Sequence, residues 1–402
     1  MRHARSLAVL FLAVAAVACQ DSTSVVILVP GALELAPRDT SIPQGGGVQL
    51  QATVYDTSGR PIPLRPRFES SDPTVLTVTP QGLVRSLGPK GAAAITATLG
   101  PFEDYVVITV FDSALAARVP LGGRPFGAAI AATGATYVTQ VDFAQLSRID
   151  LASRSFVGTV AVGSVPTDVA FNATGTRAYV TNQFSQSVGI VDVATNAVAD
   201  EIAVTGDPFD VIVAPGDSML YVTTNADSVY GFRLATKAVV AAFAVPGTAN
   251  GFVARDTLLY VSTRAGGTVV EFNLRTRTVA RTFGVGGMPQ KMALSADGHE
   301  LYIANEFGYV QFWDLVTGTQ IGTNLRLPGG SAGYGLALRP GANRLYVSSA
   351  YFGGGNIHII NPTTRMVTRT IHVAGAAREI VFNTAGTIGL VPNEGGWIDY
   401  LK

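Results

Sequence analysis

Carboxylate, amide and basic side chains recur at one point of a repeated pattern in the last 290 residues of the chain. They stand just after a turn that contains Gly and often Pro, such as residues 163–166. Asp168 and Asp210 occupy matching places in successive copies. Such carboxylates could bind Ca²⁺ through their oxygens, act as an acid/base pair, or form ion pairs with Lys291 and Arg378. Of these three arrangements, we expect the ion pairs.

The pattern that positions these residues repeats seven times, and its clearest mark is a Tyr-Val-Thr triplet. The triplet, or a close relative of it, begins at Tyr137, Tyr179, Tyr221, Tyr260, Tyr302 and Tyr346, with a degenerate copy at Gly389. Successive copies lie 39 to 44 residues apart. A period near 40 residues, built from short apolar runs and turns, is typical of four-stranded propeller blades. We therefore predict an all-β chain whose residues 113–402 form a seven-bladed β-propeller.

A second repeated feature is an Asp or Asn at the end of the third strand in five of the seven repeats, followed three residues later by Thr or Ser. These residues are Asp150, Asp192, Asn273, Asp314 and Asn361. A carboxylate or amide at the first turn position accepts a hydrogen bond from the backbone two residues on. We therefore interpret the repeated Asp and Asn residues as turn-forming rather than catalytic.

The repeat count also predicts how the ring closes. The last repeat ends in residues 397–402, which form its third strand, and it has no fourth strand of its own. Residues 114–119 precede the first repeat and belong to no blade. We predict that they supply the missing outer strand of the seventh blade and so remove an open sheet edge.

Propeller topology places the candidate site at the mouth of the central channel. The first strand of each blade lines the channel, and alternate loops of an up-and-down blade share one end. The predicted mouth residues are Phe126, Thr167, Asp168, Phe209, Asp210, Asn250, Gln290, Lys291, Tyr334, Arg378 and Glu379. The loops around them contribute Asn182, Phe184, Arg264, Asn305, Glu306, Phe307, Tyr351, Phe352, Asn393 and Glu394. Aromatic, amide and charged groups together are typical of a small-ligand or peptide pocket; the alternative is a water-filled channel with its charges paired across it.

Within that roster, eight residues are the candidate ligand-binding set: Asp168, Asp210, Asn250, Gln290, Lys291, Tyr334, Arg378 and Glu379. Catalytic residues are not predicted. His299, His358 and His372 fall away from the mouth, and the serines are expected to lack a nearby histidine, so a Ser-His-Asp arrangement is disfavoured. We predict neither a metal site nor a cofactor.

The charge composition of the chain indicates which classes of partner it can bind. Only 14% of residues are charged, 28 basic side chains balance 28 acidic ones, and no Lys/Arg cluster occurs. Nucleic acid is therefore an unfavoured partner.

The N-terminus predicts export. Arg2 and Arg5 precede an apolar run over residues 7–18, which is too short to span a bilayer and suits a secretion signal. The run ends at Cys19, the only cysteine of the chain, and it resembles a bacterial lipoprotein signal. The resemblance implies a signal peptide over residues 1–19, lipidation at Cys19, a tether over 20–24 and, with Gln20 next, an outer-membrane anchor. The alternative is an ordinary signal peptide cleaved near Ala18.

Residues 25–112 carry a different pattern. Alternation over residues 48–54 and short apolar runs at 75–78, 83–87, 92–98 and 105–110 predict a β-sandwich. The stretch from Phe68 to Val75, with residues 82–84, Gly91 and 95–97, resembles the group 2 bacterial immunoglobulin-like domain. We expect Phe68 to fill the core, residues 70–72 to cap a turn, and Gly82 and Gly91 to allow backbone reversals. The resemblance implies a spacer or an adhesive module.

The triplets themselves resemble the YVTN family of seven-bladed propellers, related to surface-layer and lactonase-like propellers, over all 290 residues of the repeat. From these patterns the expected function is a lipid-anchored, non-enzymatic binding or scaffold protein of the cell envelope. Its partners would be the membrane through Cys19 and a small ligand, peptide or envelope protein at the mouth. The alternatives are a lactonase-like hydrolase that uses mouth carboxylates and a structural surface-layer or adhesion protein.

Overall fold

The computed structural model describes residues 28–38, 40–87, 91–351 and 354–402. The predicted signal, the tether and Cys19 lie outside the described residues, as do Phe352 and the side chain of Tyr351. Across the described ranges the regular structure is β-strand apart from one short 3₁₀ turn, Pro328–Gly330. The prediction of an all-β chain is confirmed. None of the helical structure in these ranges has the length and apolarity needed to cross a membrane.

The first ten strands in the described ranges form three sheets around one apolar core. The sheet orders are β1-β4-β5, β2-β10-β9-β6 and β3-β8-β7. The strands are β1 (Pro30–Ala36), β2 (Thr40–Pro43), β3 (Gly47–Gln49), β4 (Gln51–Asp56), β5 (Pro61–Ile62), β6 (Arg67–Ser70), β7 (Leu76–Val78), β8 (Leu83–Ser86), β9 (Gly91–Leu99) and β10 (Phe102–Phe111). Leu35, Leu50, Leu76, Ile95 and Ile108 are buried in the shared core. The predicted sandwich core is therefore present.

Two details of this part differ from the sequence prediction. The alternating run over residues 48–54 is not one strand, because the chain breaks at the buried Leu50 and continues from one sheet into another. Gly82 does adopt a left-handed φ of +82° at a turn, as expected. Gly91, in contrast, lies in β9 and pairs with Val110, so it does not provide the predicted reversal.

The remaining strands of the described chain form seven sheets, each a propeller blade. Blade 1 contains β12 (Pro125–Ile130), β13 (Thr136–Gln140), β14 (Gln145–Asp150) and β15 (Ser155–Ala161). Blade 2 contains β16 (Pro166–Phe171), β17 (Arg177–Asn182), β18 (Ser187–Asp192) and β19 (Ala197–Ala203). Blade 3 contains β20 (Pro208–Val213), β21 (Met219–Thr224), β22 (Ser228–Arg233) and β23 (Ala238–Ala244). Blade 4 contains β24 (Ala249–Arg255), β25 (Leu258–Thr263), β26 (Thr268–Asn273) and β27 (Thr278–Gly284). Blade 5 contains β28 (Pro289–Leu294), β29 (Glu300–Asn305), β30 (Tyr309–Asp314), β31 (Thr319–Gln320) and β32 (Leu325–Arg326). Blade 6 contains β33 (Ala332–Leu338), β34 (Leu345–Tyr351), β35 (Gly354–Asn361) and β36 (Met366–His372), and blade 7 contains β37 (Val381–Phe382), β38 (Gly389–Asn393), β39 (Trp397–Leu401) and β11 (Leu115–Pro120).

Consecutive blades are held together by apolar side chains between their faces. Between blades 1 and 2, Tyr137 and Leu146 pack with Val169 and Val180 in one cluster. The ring of Tyr137 also stacks on Phe171 of the next blade, with 5.6 Å between ring centroids. The tyrosine of the triplet therefore serves the contact between blades, since an aromatic ring buries a large apolar area at such an interface.

The ring closes as predicted. β11 pairs antiparallel with β39, the third strand of blade 7, so the start of the propeller chain completes its last blade. Arg118 of β11 lies opposite Asp399 in this pairing. The carbonyl oxygen of Arg118 also accepts a hydrogen bond of 2.6 Å from the Ser41 hydroxyl of β2, so the closing strand contacts the first group of sheets.

The repeated Asp and Asn residues are turn devices, as predicted. Asp192 Oδ1 accepts a hydrogen bond from the backbone N–H of Thr195, at 2.9 Å. Asp150, Asn273, Asp314 and Asn361 accept equivalent bonds from the residues two and three positions on.

Candidate functional site

The first strand of a blade carries a bulge where it reaches the channel mouth. In blade 2, Pro166 pairs with Asn182, yet Asp168 pairs with Thr181, so one residue is extra in the first strand. The first strands of blades 1, 3, 4, 5 and 6 shift register at the matching place. A bulge redirects side chains and leaves a backbone N–H without its ladder partner. The candidate residues therefore lie at a local departure from regular sheet geometry.

The hydroxyl of the Tyr-Val-Thr triplet stabilises this bulge. Thr181 Oγ1 accepts a hydrogen bond of 2.9 Å from the backbone N–H of Asp168 and donates one of 3.1 Å to the Phe209 carbonyl in the next blade. Thr223 does the same between Asp210 and Asn250. Thr139, Ser262 and Ser348 accept from the N–H groups of Gly127, Gly251 and Gly335. The third residue of the triplet thus connects neighbouring blades at the site.

Two sets of equivalent residues result. The second-position set, one residue after the start of each bulge, is Phe126, Thr167, Phe209, Asn250, Gln290, Tyr334 and Arg378. The third-position set is Gly127, Asp168, Asp210, Gly251, Lys291, Gly335 and Glu379. The glycines occupy places where neighbouring first strands approach closely: a Cβ on Gly127 would lie 2.4 Å from the Thr167 carbonyl oxygen. Three of the seven positions in this set are therefore glycine, and the other four carry the charged side chains of Asp168, Asp210, Lys291 and Glu379.

Lys291 lies at the centre of these charges. Its Nζ is 2.9 Å from Asp210 Oδ2, 2.8 Å from Glu379 Oε2 and 3.8 Å from Asp168 Oδ2. The expected ion pairs with Lys291 are present. Those with Arg378 are not, because the Arg378 guanidinium instead pairs with Glu394.

Burial and mutual repulsion decide the protonation of this cluster. Burial raises the pKa of Asp168 well above its usual range, and the charge of Asp210 raises it further. The pKa of Glu379 is raised by burial as well, against the opposing effect of Lys291. Burial alone would lower the pKa of Lys291, but attraction to Asp168, Asp210 and Glu379 outweighs it, and that pKa lies well above its usual value. Lys291 is therefore charged, while Asp168 and Glu379 retain protons more readily than exposed carboxylates do.

Backbone groups hold two of the carboxylates in place. Asp168 Oδ2 accepts a hydrogen bond of 3.1 Å from the N–H of Val211, and Asp210 Oδ1 accepts one of 2.8 Å from the same group. Asp210 Oδ2 also accepts a hydrogen bond of 3.2 Å from the N–H of Phe252. Both side chains thus contact the following blade, which fixes their positions before any ligand arrives.

The amides of the mouth form a continuous chain with a rim ion pair. Asn250 Nδ2 donates to Gln290 Oε1 at 2.7 Å, and Gln290 Nε2 donates to Glu306 Oε1 at 2.6 Å. Glu306 in turn forms a two-bond ion pair with Arg264, at 2.6 and 3.0 Å. This chain links two first strands to the loops above them.

Aromatic rings form another side of the mouth. Phe126 and Phe209 meet edge to face with 6.0 Å between centroids. The Arg378 guanidinium lies 4.3 Å from the centroid of Tyr334 and 5.8 Å from that of Phe126. Arg378 is therefore held by two rings as well as by Glu394.

These groups enclose a cavity of about 340 Å³ at the channel mouth. It is lined by the whole second-position set, by Asp168, Lys291 and Glu379, and by Asn225, Thr248, Arg264 and Glu306. Of the eight candidate ligand-binding residues, seven line the cavity; the eighth, Asp210, is buried and does not line it. Asn225 was missed in the sequence, although it occupies in blade 3 the loop position that Arg264 and Glu306 occupy in blades 4 and 5.

Three loop residues expected around the mouth have a different role. Asn182, Asn305 and Asn393 are buried and do not line the cavity. Asn305 accepts hydrogen bonds from the N–H groups of Met288 and Phe307 and donates to the Gly286 carbonyl. Asn393 donates to the Ala374 carbonyl. These amides shape the loops, so their expected place at the mouth is wrong.

The expectation that serines lack a nearby histidine is also wrong. Ser349 Oγ is 2.9 Å from His358 Nε2, and His358 Nδ1 is 2.9 Å from Thr370 Oγ1. The ring of His358 is buried, which lowers its pKa to about 4. Both ring nitrogens bond hydroxyl groups rather than carboxylates, and none of the three residues lines the mouth cavity. Their bonds therefore connect three strands of blade 6.

Metal binding finds no support among the described residues, where no group of three His, Cys, Asp or Glu side chains has a geometry that could hold an ion. Asp168, Asp210 and Glu379 do converge, but the Lys291 ammonium occupies the point of convergence.

Comparison with known proteins supports the architecture. No model of a known protein family and no curated protein matches the sequence. Among solved structures, Kuenenia stuttgartiensis hydrazine synthase is similar, with a TM-score of 0.61 and 16% identity over 70% of this chain and 96% of that chain. The chain is an all-β propeller protein. At this identity the likeness concerns the fold alone, because propellers carry many unrelated functions.

Proposed function

We propose that this propeller is a non-enzymatic binding protein of the bacterial cell envelope and that it holds its ligand in the mouth cavity. The observation that carries the proposal is the cavity itself, about 340 Å³ in volume and lined by aromatic, amide and charged groups. That volume and lining are within the range of small-molecule sites. The side chains are fixed by backbone bonds and ion pairs, so little ordering remains to oppose binding.

A hydrolase is the second candidate, because Asp168 and Glu379 line the cavity and have raised pKa values. Perturbed carboxylates are common in catalytic sites, although structural ion pairs perturb them too. Here the carboxylates surround a lysine, with Nζ 2.8 Å from Glu379. A lactone panel tested with the wild type and Asp168→Asn separates the two: turnover that the variant loses would support the hydrolase, and no turnover on any lactone would reject it.

The envelope location rests on the sequence. The proposal includes lipidation at Cys19, a YVTN-type propeller and a group 2 immunoglobulin-like spacer over residues 25–112. Expression in a Gram-negative host with labelled palmitate tests the anchor: the wild type should carry label and enter the detergent phase. Cys19→Ser should lose both, whereas an unlabelled wild type would remove the lipid anchor from the proposal.

The binding proposal is tested with a thermal-shift screen of metabolites and short peptides. Ligands that stabilise the wild type should fail to stabilise Asp210→Ala/Lys291→Ala, which removes the 2.9 Å ion pair of the mouth. The matched control is Asp200→Ala/Lys237→Ala, which removes an exposed pair at 2.8 Å elsewhere on the propeller. Equal ligand-induced shifts in both double variants would exclude the mouth.

A purely structural role is the third alternative, and it predicts ordered self-assembly of the purified protein. Light scattering checks it. A monomer at dilute concentration supports the binding proposal over the surface-layer alternative.

A further inference from the structure

The charges of the mouth are balanced at its rim and unbalanced within it. At the rim each arginine has a carboxylate partner: Arg264 pairs with Glu306, and Arg378 pairs with Glu394. Arg124 pairs with Asp142 at 2.8 Å and lies 3.6 Å from Glu394. Inside, three carboxylates face the single ammonium of Lys291. With all four groups ionised, this cluster has two negative charges in excess. Buried charge that lacks a counter-charge is costly, so the cluster favours either protons or an added cation.

Asp168 is the least neutralised of the three carboxylates. Asp210 and Glu379 lie 2.9 and 2.8 Å from the Lys291 ammonium, which are hydrogen-bond distances, but Asp168 lies 3.8 Å away. Its side chain is 11% exposed and lines the cavity. The carboxylate that lies farthest from the Lys291 ammonium is therefore accessible to a ligand in the cavity.

The cavity wall near these charges suits a cationic group on an apolar stem. Phe126, Phe209 and Tyr334 line the cavity. Rings of this kind pack against methylene groups and attract a cation placed over their faces. An anionic ligand would instead have to displace Glu306 from Arg264 or Glu394 from Arg378, since each arginine is already paired.

We propose, on the basis of the proposed function, that the ligand of the mouth presents a primary alkylammonium group to Asp168, with its methylene stem against the aromatic wall. The ammonium offsets one of the two excess negative charges of the cluster. The proposed interaction involves no electron transfer and no covalent bond. It is an ion pair supported by hydrogen bonds.

The same chemistry occurs in a free alkylamine and in the lysine side chain of a peptide. The rim favours the peptide. Phe184 and Phe307 occupy matching second-to-third-strand loops and are 70% and 56% exposed, and Phe143 in the equivalent loop of blade 1 is 51% exposed. Apolar rings around the entrance offer contacts to a chain that continues beyond the cavity, which a short free amine cannot use.

Binding should release a proton. The titratable and charged groups that face Asp168 are Asp210, Lys291 and Glu379, and the raised pKa of Asp168 means that its carboxyl holds a proton over part of the pH range in which exposed carboxylates are ionised. A cation stabilises the ionised form and lowers that pKa. Affinity should therefore increase as pH rises through the raised pKa of Asp168, up to the pH at which the amine loses its own proton.

The test uses three probes of one size, n-butylammonium, 1-butanol and butyrate, titrated by calorimetry into the full-length protein at two pH values. We expect n-butylammonium to bind best, with uptake of a proton by the buffer. Asp168→Asn keeps the shape of the side chain and should weaken n-butylammonium binding roughly tenfold and abolish the proton release. The control is Asp207→Asn, the same chemical change at a residue whose carboxylate contacts Gln186 rather than the cavity, and it should bind like the wild type.

A second variant guards against misfolding of the first. Asp168→Glu keeps a carboxylate at this position and should retain the preference for n-butylammonium over 1-butanol that Asp168→Asn loses. The peptide arm compares acetyl-Ala-Lys-Ala-amide with its norleucine analogue. Tighter binding of the lysine peptide than of n-butylammonium supports a peptide ligand, and the reverse order supports a free amine.

The outcomes separate this inference from the proposed function. Preference for butyrate or 1-butanol, weakened by Asp210→Ala/Lys291→Ala, would overturn the ammonium ligand and leave the mouth as a binding site. Absence of binding by every probe would overturn the ammonium ligand and leave the proposed function to the metabolite and peptide screen. Binding that no mouth variant affects would overturn both.

Discussion

Arg118 and Asp399 form a buried two-bond ion pair in the seam that closes the propeller, with Nε–Oδ1 at 2.6 Å and Nη2–Oδ2 at 3.0 Å. Their side chains are 3% and 0% exposed. Arg118 also donates to the Val373 carbonyl at 2.6 Å and lies 4.3 Å from the ring centroid of Trp397. Trp397 Nε1 donates to Asp399 as well. One arginine therefore connects the first strand of the propeller chain to its last blade and to blade 6.

Breaking this pair should destabilise the protein strongly. Arg118→Met leaves Asp399 as a buried uncompensated charge, and such losses cost about 3–5 kcal/mol. Urea unfolding followed by tryptophan fluorescence measures the effect, since Trp397 lies at the seam. The double variant Arg118→Met/Asp399→Leu should recover much of the loss. Lys237→Met, which breaks an exposed pair with Asp200, should cost less than about 1 kcal/mol. Equal losses for Arg118→Met and Lys237→Met would contradict the role of the seam.

The hydroxyl of the triplet should matter for the site as well as for stability. Thr223→Val leaves the Asp210 N–H and the Asn250 carbonyl without this partner, and unsatisfied buried groups cost about 1–3 kcal/mol. Thr223→Ser keeps the hydroxyl and should stay close to the wild type. Urea midpoints of the two variants give the comparison. A valine variant as stable as the serine variant would show that the hydroxyl does not tie the blades together.

The buried His358 predicts sensitivity to acid. Burial lowers its pKa to about 4 from 6.5, so the folded protein holds the ring neutral while the unfolded chain binds a proton. The stability that it contributes is present above pH 6.5 and is lost as pH falls from there towards 4, by up to about 3 kcal/mol. His358→Gln should lose this part of the pH dependence, while His299→Gln, at a ring that is 62% exposed, should keep it. Melting temperatures between pH 4 and 7.5 check both, and parallel curves for all three proteins would refute the assignment.

The buried Asp168 predicts the opposite dependence of stability on pH. Its pKa is raised from 3.8, so the folded protein binds this proton more tightly than the unfolded chain does. Stability from this group is therefore present at and below pH 3.8 and is lost as pH rises from there through the raised pKa. Asp168→Asn cannot ionise and should melt higher than the wild type near neutral pH, with the advantage shrinking in acid. An unchanged difference between the two proteins across that range would contradict the raised pKa.

The sequence predicted the architecture and most of the mouth because every blade repeats the same turn and triplet. Once residue 168 is aligned with 210, 291 and 379, topology alone brings the four side chains to one channel. The pairing of the strand before the first repeat with the last blade followed from counting strands.

Other features depend on contacts that a linear pattern does not encode. Glu394, rather than Asp168 or Asp210, pairs with Arg378 because a loop of blade 7 returns over the first strand of that blade. The proximity of Ser349 to His358 depends on the register of two neighbouring strands. The repeat pattern predicts Asn305 at the mouth because its loop lies there, yet its amide bonds the Met288 N–H and the Gly286 carbonyl. The break between strands at Leu50 arises because the chain changes sheets within one alternating run.

The most direct test of the central claim is a crystallographic screen in which crystals of the wild type and of Asp210→Ala/Lys291→Ala are soaked in the same library of small polar and charged fragments. The account predicts that fragments concentrate in the mouth of the wild type, in contact with Asp168, Lys291 or Tyr334, and that the double variant loses them. Fragments that bind elsewhere while the wild-type mouth holds only water would contradict it.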